Sequence, residues 1–222
     1  MYPISIIIPI YNEIEKLPQL IKHISPYKSQ NQIIIINDGS HDGTREFLDS
    51  QSGIMIIHHD KNLGKGCAVR TALKKVNKEI VMLLDGDLEI NIASLDSLIK
   101  NAKNNQIIIG YRISKSNSFS ITEFGNATLN FIFNILFSSN YKDVLCCLKI
   151  LPAKTLRSFN LSAVGFELET EIMAKICINN LDVVEEKVQY KRRTNREGKK
   201  LRFADSFTII KTMTCLKLKS LV

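Results

Sequence analysis

Four short apolar runs, at residues 4–10, 33–36, 54–57 and 80–84, each stop abruptly at a polar loop, and helical patterns separate them. Nothing else in the chain restricts its fold as much. Unbroken apolar runs of this length read as strands buried on both faces. Residues 14–25 carry Ile14, Leu17, Leu20, Ile21 and Ile24 three and four apart, the stripe of an amphipathic helix. Further helices are expected at about 44–50, from the 62–66 loop to about Val76, and at 92–103. This alternation predicts an α/β fold with a mostly parallel sheet and helices on both faces. In such sheets ligands bind beyond the carboxyl ends of the strands. The loops at 9–13, 37–40 and 85–89 all fall there.

The fourth run feeds directly into Asp85-Gly86-Asp87-Leu88-Glu89. Two carboxylates delivered by a buried strand, with a third two residues on, make an oxygen-rich site suited to Mg²⁺ or Mn²⁺. Such a cation can hold a pyrophosphate and stabilise its departure. Gly86 is expected to let an anionic ligand approach the backbone. An acidic turn after a strand is the plain alternative, because Asp-Gly is a common turn pair. His58 and His59 point to opposite faces if they continue a strand, which argues against a shared metal.

The second half is less regular. A strand is expected at 106–110, an apolar helix at 121–137, strand-like structure at 143–151 and helices at 152–158 and 165–178. Residues 183–190 alternate as a strand, a basic loop spans 191–202, and 203–219 reads as a helix. Phe131, Phe133 and Phe137 are expected mainly in the core, with a membrane interface as the alternative. The 222 residues suit one domain at 1–202, with a basic amphipathic helix or tail at 203–222.

Charge sharpens this division. The net charge is +8, yet residues 187–222 hold eleven Lys/Arg against Glu197 and Asp205. A neutral body with a basic end points to an anionic partner: phosphate groups or an anionic membrane surface. A solvated basic face is the plain alternative. No recognition module accompanies the charge, so nucleic acid is not expected. No apolar run reaches the roughly 18–20 residues that cross a bilayer. The N-terminus lacks the basic opening of a signal peptide, and the five cysteines form no C-x-x-C pair. Reduced thiols and a cytoplasmic setting are the simplest expectation.

Ser5-Ile-Ile-Ile-Pro9-Ile-Tyr-Asn-Glu13, Ile36-Asn-Asp-Gly-Ser-His-Asp-Gly-Thr44, Asn62-Leu-Gly-Lys-Gly66 and Leu84-Asp-Gly-Asp-Leu-Glu89 occur in order. Together they resemble the family-2 glycosyltransferases, and within them the dolichyl- or polyprenyl-phosphate mannosyl- and glucosyltransferases. Asp143-Val-Leu-Cys-Cys-Leu-Lys149 and Gly165-Phe-Glu-Leu-Glu169 add later support. The resemblance implies a GT-A fold and an inverting, metal-dependent hexosyltransferase acting on a nucleotide-sugar donor. It implies Pro9, Tyr11, Glu13, Asp38, Lys65 and Asp85 at the donor, with Asp38 on the base or ribose. It implies Asp87 as the metal ligand, Glu89 as an additional one, and Arg112 beside phosphate groups.

Arg193 and Lys200 are the best matches to a basic loop that grips the acceptor phosphate, with Arg192, Arg196 and Lys199 as competitors. A polyprenyl-phosphate acceptor implies a peripheral position on the cytoplasmic, inner membrane face, with a membrane-protein partner left open. Asn37 stands where the family usually has Asp, and Cys147 where it has Gly; the helix at 121–137 lacks an arginine often found at its start. These departures bear on the acceptor.

A lipid phosphate is largely ionised at neutral pH, so it needs positive charge rather than a strong base. A hydroxyl acceptor would need a carboxylate base, for which Asp143 is the candidate. A hydroxyl acceptor on a surface glycan and a non-catalytic nucleotide-sugar-binding module are the other readings. The absence of Trp excludes the Q-x-x-R-W motif of processive synthases.

Overall fold

The computed structural model describes residues 2–91, 93–102, 106–114, 121–191 and 203–220. Its elements run β1 (Ile4–Ile10), α1 (Leu17–Ile24), β2 (Gln32–Asp38), α2 (Thr44–Asp49), β3 (Met55–His59), α3 (Lys65–Leu73) and β4 (Ile80–Leu83). Then follow α4 (Ala93–Asn101), β5 (Ile107–Ser114), α5 (Ile121–Phe137), β6 (Lys149–Pro152), α6 (Ala153–Ser158), α7 (Leu168–Ile178), β7 (Val183–Tyr190) and α8 (Phe203–Lys219).

Among the described residues the strands form one seven-stranded sheet in the order β3-β2-β1-β4-β6-β5-β7. β1 pairs parallel with β2 and β4, β2 with β3, and β5 with β7. β6 alone runs antiparallel, to both β4 and β5. The mostly parallel sheet expected from the alternation is therefore present, with one reversed strand inside it. That reversal leaves the carboxyl ends of the other six strands at one edge, beside the start of β6.

Period-two geometry distributes the strand residues between two cores. Ile4, Ile6, Ile8 and Ile10 join Leu17, Leu20 and Ile24 of α1 and Leu95, Leu98 and Ile99 of α4. Ile7 faces the other way, with Ala68, Val69 and Ala72 of α3 and with residues of α5 to α8. Each fully buried Ile of this kind stabilises the fold by about 1.5–3 kcal/mol. In α8, Ile209 and Met213 are buried in that second core. The boundary expected between 202 and 203 falls at residues 192–202, outside those described.

Several expectations change. The strand expected over 143–151 is confined to Lys149–Pro152. The phenylalanines divide: Phe133 and Phe137 are buried and stacked at 4.6 Å, whereas Phe131 is 65% exposed. Helical spacing separates them, since two residues along a helix turn a side chain by about 200°.

Gly86 also meets a packing constraint that the sequence did not announce. A Cβ there would lie 2.9 Å from Ile10 Cγ1 and 3.3 Å from Ile8 Cγ2. The missing side chain makes room for the β1 core.

Candidate active site

The first two loops at the carboxyl edge are stitched together by short polar side chains. The Asn12 backbone N–H donates to Ser40 Oγ at 2.8 Å, and the His41 N–H to Asn12 Oδ1 at 3.0 Å. The Glu13 N–H reaches Thr44 Oγ1 at 3.3 Å, and the Ile14 N–H reaches Asp42 Oδ2 at 3.1 Å. Tyr11 meets His41 edge-on, with ring centroids 6.0 Å apart. Asn37 closes the second loop by accepting the Ser40 N–H at 3.0 Å on its side-chain oxygen. Pro9 lies in β1 opposite Ile36.

Asp38 is almost fully buried and binds the third loop to the sheet. Oδ1 accepts the Leu63 N–H at 2.9 Å and lies 2.7 Å from His59 Nδ1; Oδ2 accepts the Gly64 N–H at 2.8 Å. His59 Nε2 is 2.9 Å from Thr71 Oγ1. His58 instead lies 3.0 Å from Asn37 Nδ2 and 2.9 Å from Asp49 Oδ1. The two histidines thus have different surroundings, as the strand periodicity requires.

The loop shaped by Asp38 delivers Lys65 at the start of α3. Lys65 Nζ lies 2.6 Å from Asp85 Oδ1 and 2.6 Å from Glu169 Oε1. Burial opposes its charge, but Asp85 and Glu169 outweigh that effect and hold its pKa well above the ordinary lysine value. Asp85 is the most open of the three, at 28% side-chain exposure, and so is the member a ligand can reach. Close packing fixes the helix start, since a Cβ at Gly66 would overlap the Ala163 carbonyl. The 162–165 segment that supplies this carbonyl is held by two acids. Glu171 accepts the Ser162 and Ala163 N–H groups, and Glu167 accepts those of Val164 and Gly165.

Beyond Asp85, Leu88 adopts φ +61, a left-handed backbone that costs a non-glycine residue about 1–2 kcal/mol. The Glu89 N–H donates to Asp87 Oδ1 at 3.1 Å, which draws the two acidic residues together. Tyr190 Oη donates to Glu89 Oε2 at 2.8 Å. Among the described residues no group of three or more His, Cys, Asp or Glu is assembled as a metal cage. The Asp87/Glu89 pair still suits Mg²⁺ or Mn²⁺, because such ions commonly take one or two protein carboxylates and complete their shell with phosphate oxygens and water.

At the end of β5, Arg112 forms a two-pronged pair with Asp143. Nε donates to Oδ2 at 2.7 Å and Nη2 to Oδ1 at 2.8 Å; the Arg112 backbone N–H adds a bond to Oδ2 at 3.1 Å. The guanidinium also lies 5.3 Å from the centre of the Tyr190 ring. Burial disfavours the charge on Arg112, but Asp143 more than offsets this and keeps the guanidinium charged. Lys149 is buried beneath the following turn and donates to the Val144 and Cys146 carbonyls; burial lowers its pKa.

The fold therefore collects Pro9, Tyr11, Glu13, Asp38, Lys65, Asp85, Asp87, Glu89, Arg112 and Asp143 at the loops of one sheet edge. Arg193 and Lys200, with the competing Arg192, Arg196 and Lys199, lie outside the described residues. Glu169, Tyr190 and Lys149 were not singled out as site residues by sequence reasoning. Glu169 and Lys149 close the two later motifs quoted for the resemblance, and that was the available signal for both. Tyr190 carried none.

Comparison with known proteins agrees with this architecture. The sequence profile described as "Glycosyl transferase family 2" matches residues 5–151. Dolichyl-phosphate beta-glucosyltransferase ALG5A of Trichomonas vaginalis is 31% identical over 128 residues, covering 49% of this chain and 40% of its own length. Undecaprenyl-phosphate 4-deoxy-4-formamido-L-arabinose transferase of Photorhabdus laumondii subsp. laumondii is 29% identical over 118 residues, with shares of 49% and 36%. The chain thus spans about two-fifths of the length of these curated relatives.

Glucosyl-3-phosphoglycerate synthase from Mycobacterium tuberculosis has been solved in complex with Mn²⁺, uridine diphosphate and glucosyl-3-phosphoglycerate. It superposes with a TM-score of 0.72 at 17% identity, covering 97% of this chain and 80% of that one. The fold is GT-A.

Proposed function

This chain belongs to glycosyl transferase family 2, and on that premise we propose that it is a hexosyltransferase with a polyprenyl-phosphate acceptor. In this reading a nucleotide-sugar donor lies across the carboxyl edge, and its sugar is transferred with inversion. The acceptor phosphate is met at the cytoplasmic, inner face of a membrane, with the chain peripheral on an anionic surface. Relatives named for dolichyl and undecaprenyl phosphate support the acceptor class. The structure of a neighbour with Mn²⁺ and uridine diphosphate supports the donor class. Among the described residues no helix is long and apolar enough to cross a membrane. Membrane attachment in this reading rests on the basic C-terminal end.

One observation carries the acceptor reading: Asp143, the candidate base for a hydroxyl acceptor, has both oxygens engaged by Arg112. Three of the roughly four acceptor positions of its carboxylate are taken. An acceptor that arrives ionised needs no base, and a lipid phosphate is such an acceptor.

In this reading each residue has its own role. Tyr11 and Glu13 border the nucleoside; Asp38, expected on the base or ribose, is instead buried with both oxygens engaged, and it shapes the 63–64 backbone of that loop. Lys65 holds Asp85 in place while keeping a positive charge beside the donor. Asp87 and Glu89 would hold Mg²⁺ or Mn²⁺. When bound, such an ion supplies positive charge that stabilises the departing diphosphate. Arg112 orients phosphate from its clamp on Asp143, and Arg193 and Lys200 supply acceptor charge.

Incubation of the purified chain with nucleotide sugars, Mn²⁺ and polyprenyl phosphate should yield a lipid-linked sugar labile to mild acid. An acid-stable product would replace the phosphate acceptor with a hydroxyl one. Neither transfer nor donor hydrolysis with any candidate would leave a binding module.

A further inference from the structure

The acidic loop is fastened to a strand a hundred residues away. Ile90 and Tyr190 form an isolated antiparallel bridge. The Asn91 N–H donates to the Gln189 carbonyl at 2.9 Å, and the Lys191 N–H to the Glu89 carbonyl at 2.7 Å. Residues 89–91 therefore run as a short extra strand against the end of β7. Tyr190 adds a side-chain tie, donating its hydroxyl to Glu89 Oε2 at 2.8 Å while its ring faces Arg112.

The backbone gives an independent reason for such a tie. Leu88, between the two acids, is held in a left-handed conformation that a leucine does not choose unaided. Asp85 is anchored on one side by Lys65. Glu89 is anchored on the other by Tyr190 and the 189–191 backbone. A loop pinned at both ends can hold its central carboxylate, Asp87, at a constant distance from Glu89.

We propose that Tyr190 is a positioning residue that orients Glu89, and with it the spacing of the Asp87/Glu89 pair, for a divalent ion carried by a nucleoside diphosphate. This rests on the donor-site reading given above. The same contacts connect that pair, through Arg112, to Asp143. They also place it at the root of the basic segment that begins after Lys191. Donor and acceptor sides of the site thereby share one aromatic side chain.

Tyr190→Phe keeps the ring over Arg112 and removes only the hydroxyl. The test uses whichever of UDP, GDP, CDP and ADP binds the wild-type chain best. Mn²⁺ is titrated calorimetrically at saturating nucleotide, and melting temperature is recorded without ligand. Groups that orient metal ligands commonly change metal affinity by about 10-fold or more. Tyr190→Phe is expected to weaken the Mn²⁺ constant by about 10-fold with little change in ligand-free melting temperature. In a Glu89→Ala background the same substitution should add nothing.

An unchanged Mn²⁺ constant overturns the proposal, as does a loss that persists undiminished in the Glu89→Ala background. A fall in melting temperature with the Mn²⁺ constant intact assigns Tyr190 a structural role alone and overturns it too. Wild-type chain that binds none of the nucleotides in a Mn²⁺-dependent manner overturns the donor-site reading, and this inference with it.

Discussion

Arg112 and Asp143 lie side by side, two parallel hydrogen bonds of 2.7 and 2.8 Å joining the guanidinium edge to both carboxylate oxygens. The pair serves two structural ends. It fixes the start of the irregular 143–148 turn, and it holds the guanidinium against Tyr190.

The first prediction concerns that carboxylate. Loss of a general base costs about 10²–10⁴ in rate. Asp143→Asn is expected to fall short of that range and to leave the shape of the pH–rate profile unchanged, because the side chain positions Arg112. Steady-state rates across pH with a polyprenyl-phosphate acceptor check this. A loss within the general-base range, with one limb of the profile gone, would restore Asp143 as a base.

The second concerns the clamp on the acidic loop. Lys65→Met leaves Asp85 and Glu169 without their shared cation. Removing one partner of a buried pair costs about 3–5 kcal/mol; the 28% exposure of Asp85 places the expected loss near the lower end. Urea denaturation measures it, and a loss below about 1 kcal/mol, the scale of surface pairs, would mean that solvent screens the cluster.

The third concerns the metal. Asp87→Ala is expected to abolish the Mn²⁺-dependent part of thermal stabilisation by a nucleoside diphosphate and to abolish transfer. Ligand at about 100 times its dissociation constant stabilises the native state by about 2.7 kcal/mol, so the effect lies within reach of a melting curve. Retained Mn²⁺ dependence in the variant would move the metal site elsewhere.

The fourth is a pH effect. Burial acts to raise the Glu171 pKa, but the Ala163 N–H, Lys175 and the Ser162 N–H more than offset it, so the folded value lies below the ordinary 4.5. A depressed carboxylate stabilises the fold above its unfolded value and loses that contribution as pH falls through the folded one. Wild-type stability should therefore decline as pH drops below 4.5, and Glu171→Gln should show a shallower decline with lower stability at neutral pH. Parallel curves for the two proteins, from denaturation at successive pH values, would contradict this.

The amino-acid order alone determined the class of fold and the edge at which the site forms. Apolar runs such as 4–10 and 80–84 can only be satisfied between two layers of helices, and turn residues after each run must gather where parallel strands end. The GT-A expectation drawn from the ordered motifs agrees with the structure for the same reason, since three of those motifs are strand ends and the fourth opens α3.

Tertiary structure decided what crosses from one element to another. β6 falls within the stretch read only as strand-like, and its antiparallel direction depends on pairing with β4 and β5. The packing constraint on Gly86 arises only when Ile10 of a separate strand is placed 2.9 Å from where its Cβ would lie. Glu169 meets Lys65 across more than a hundred residues, and Tyr190 meets Glu89 across a similar span. Local periodicity records which face a side chain leaves from; its partner is set by packing of distant segments, and no neighbouring residue encodes that.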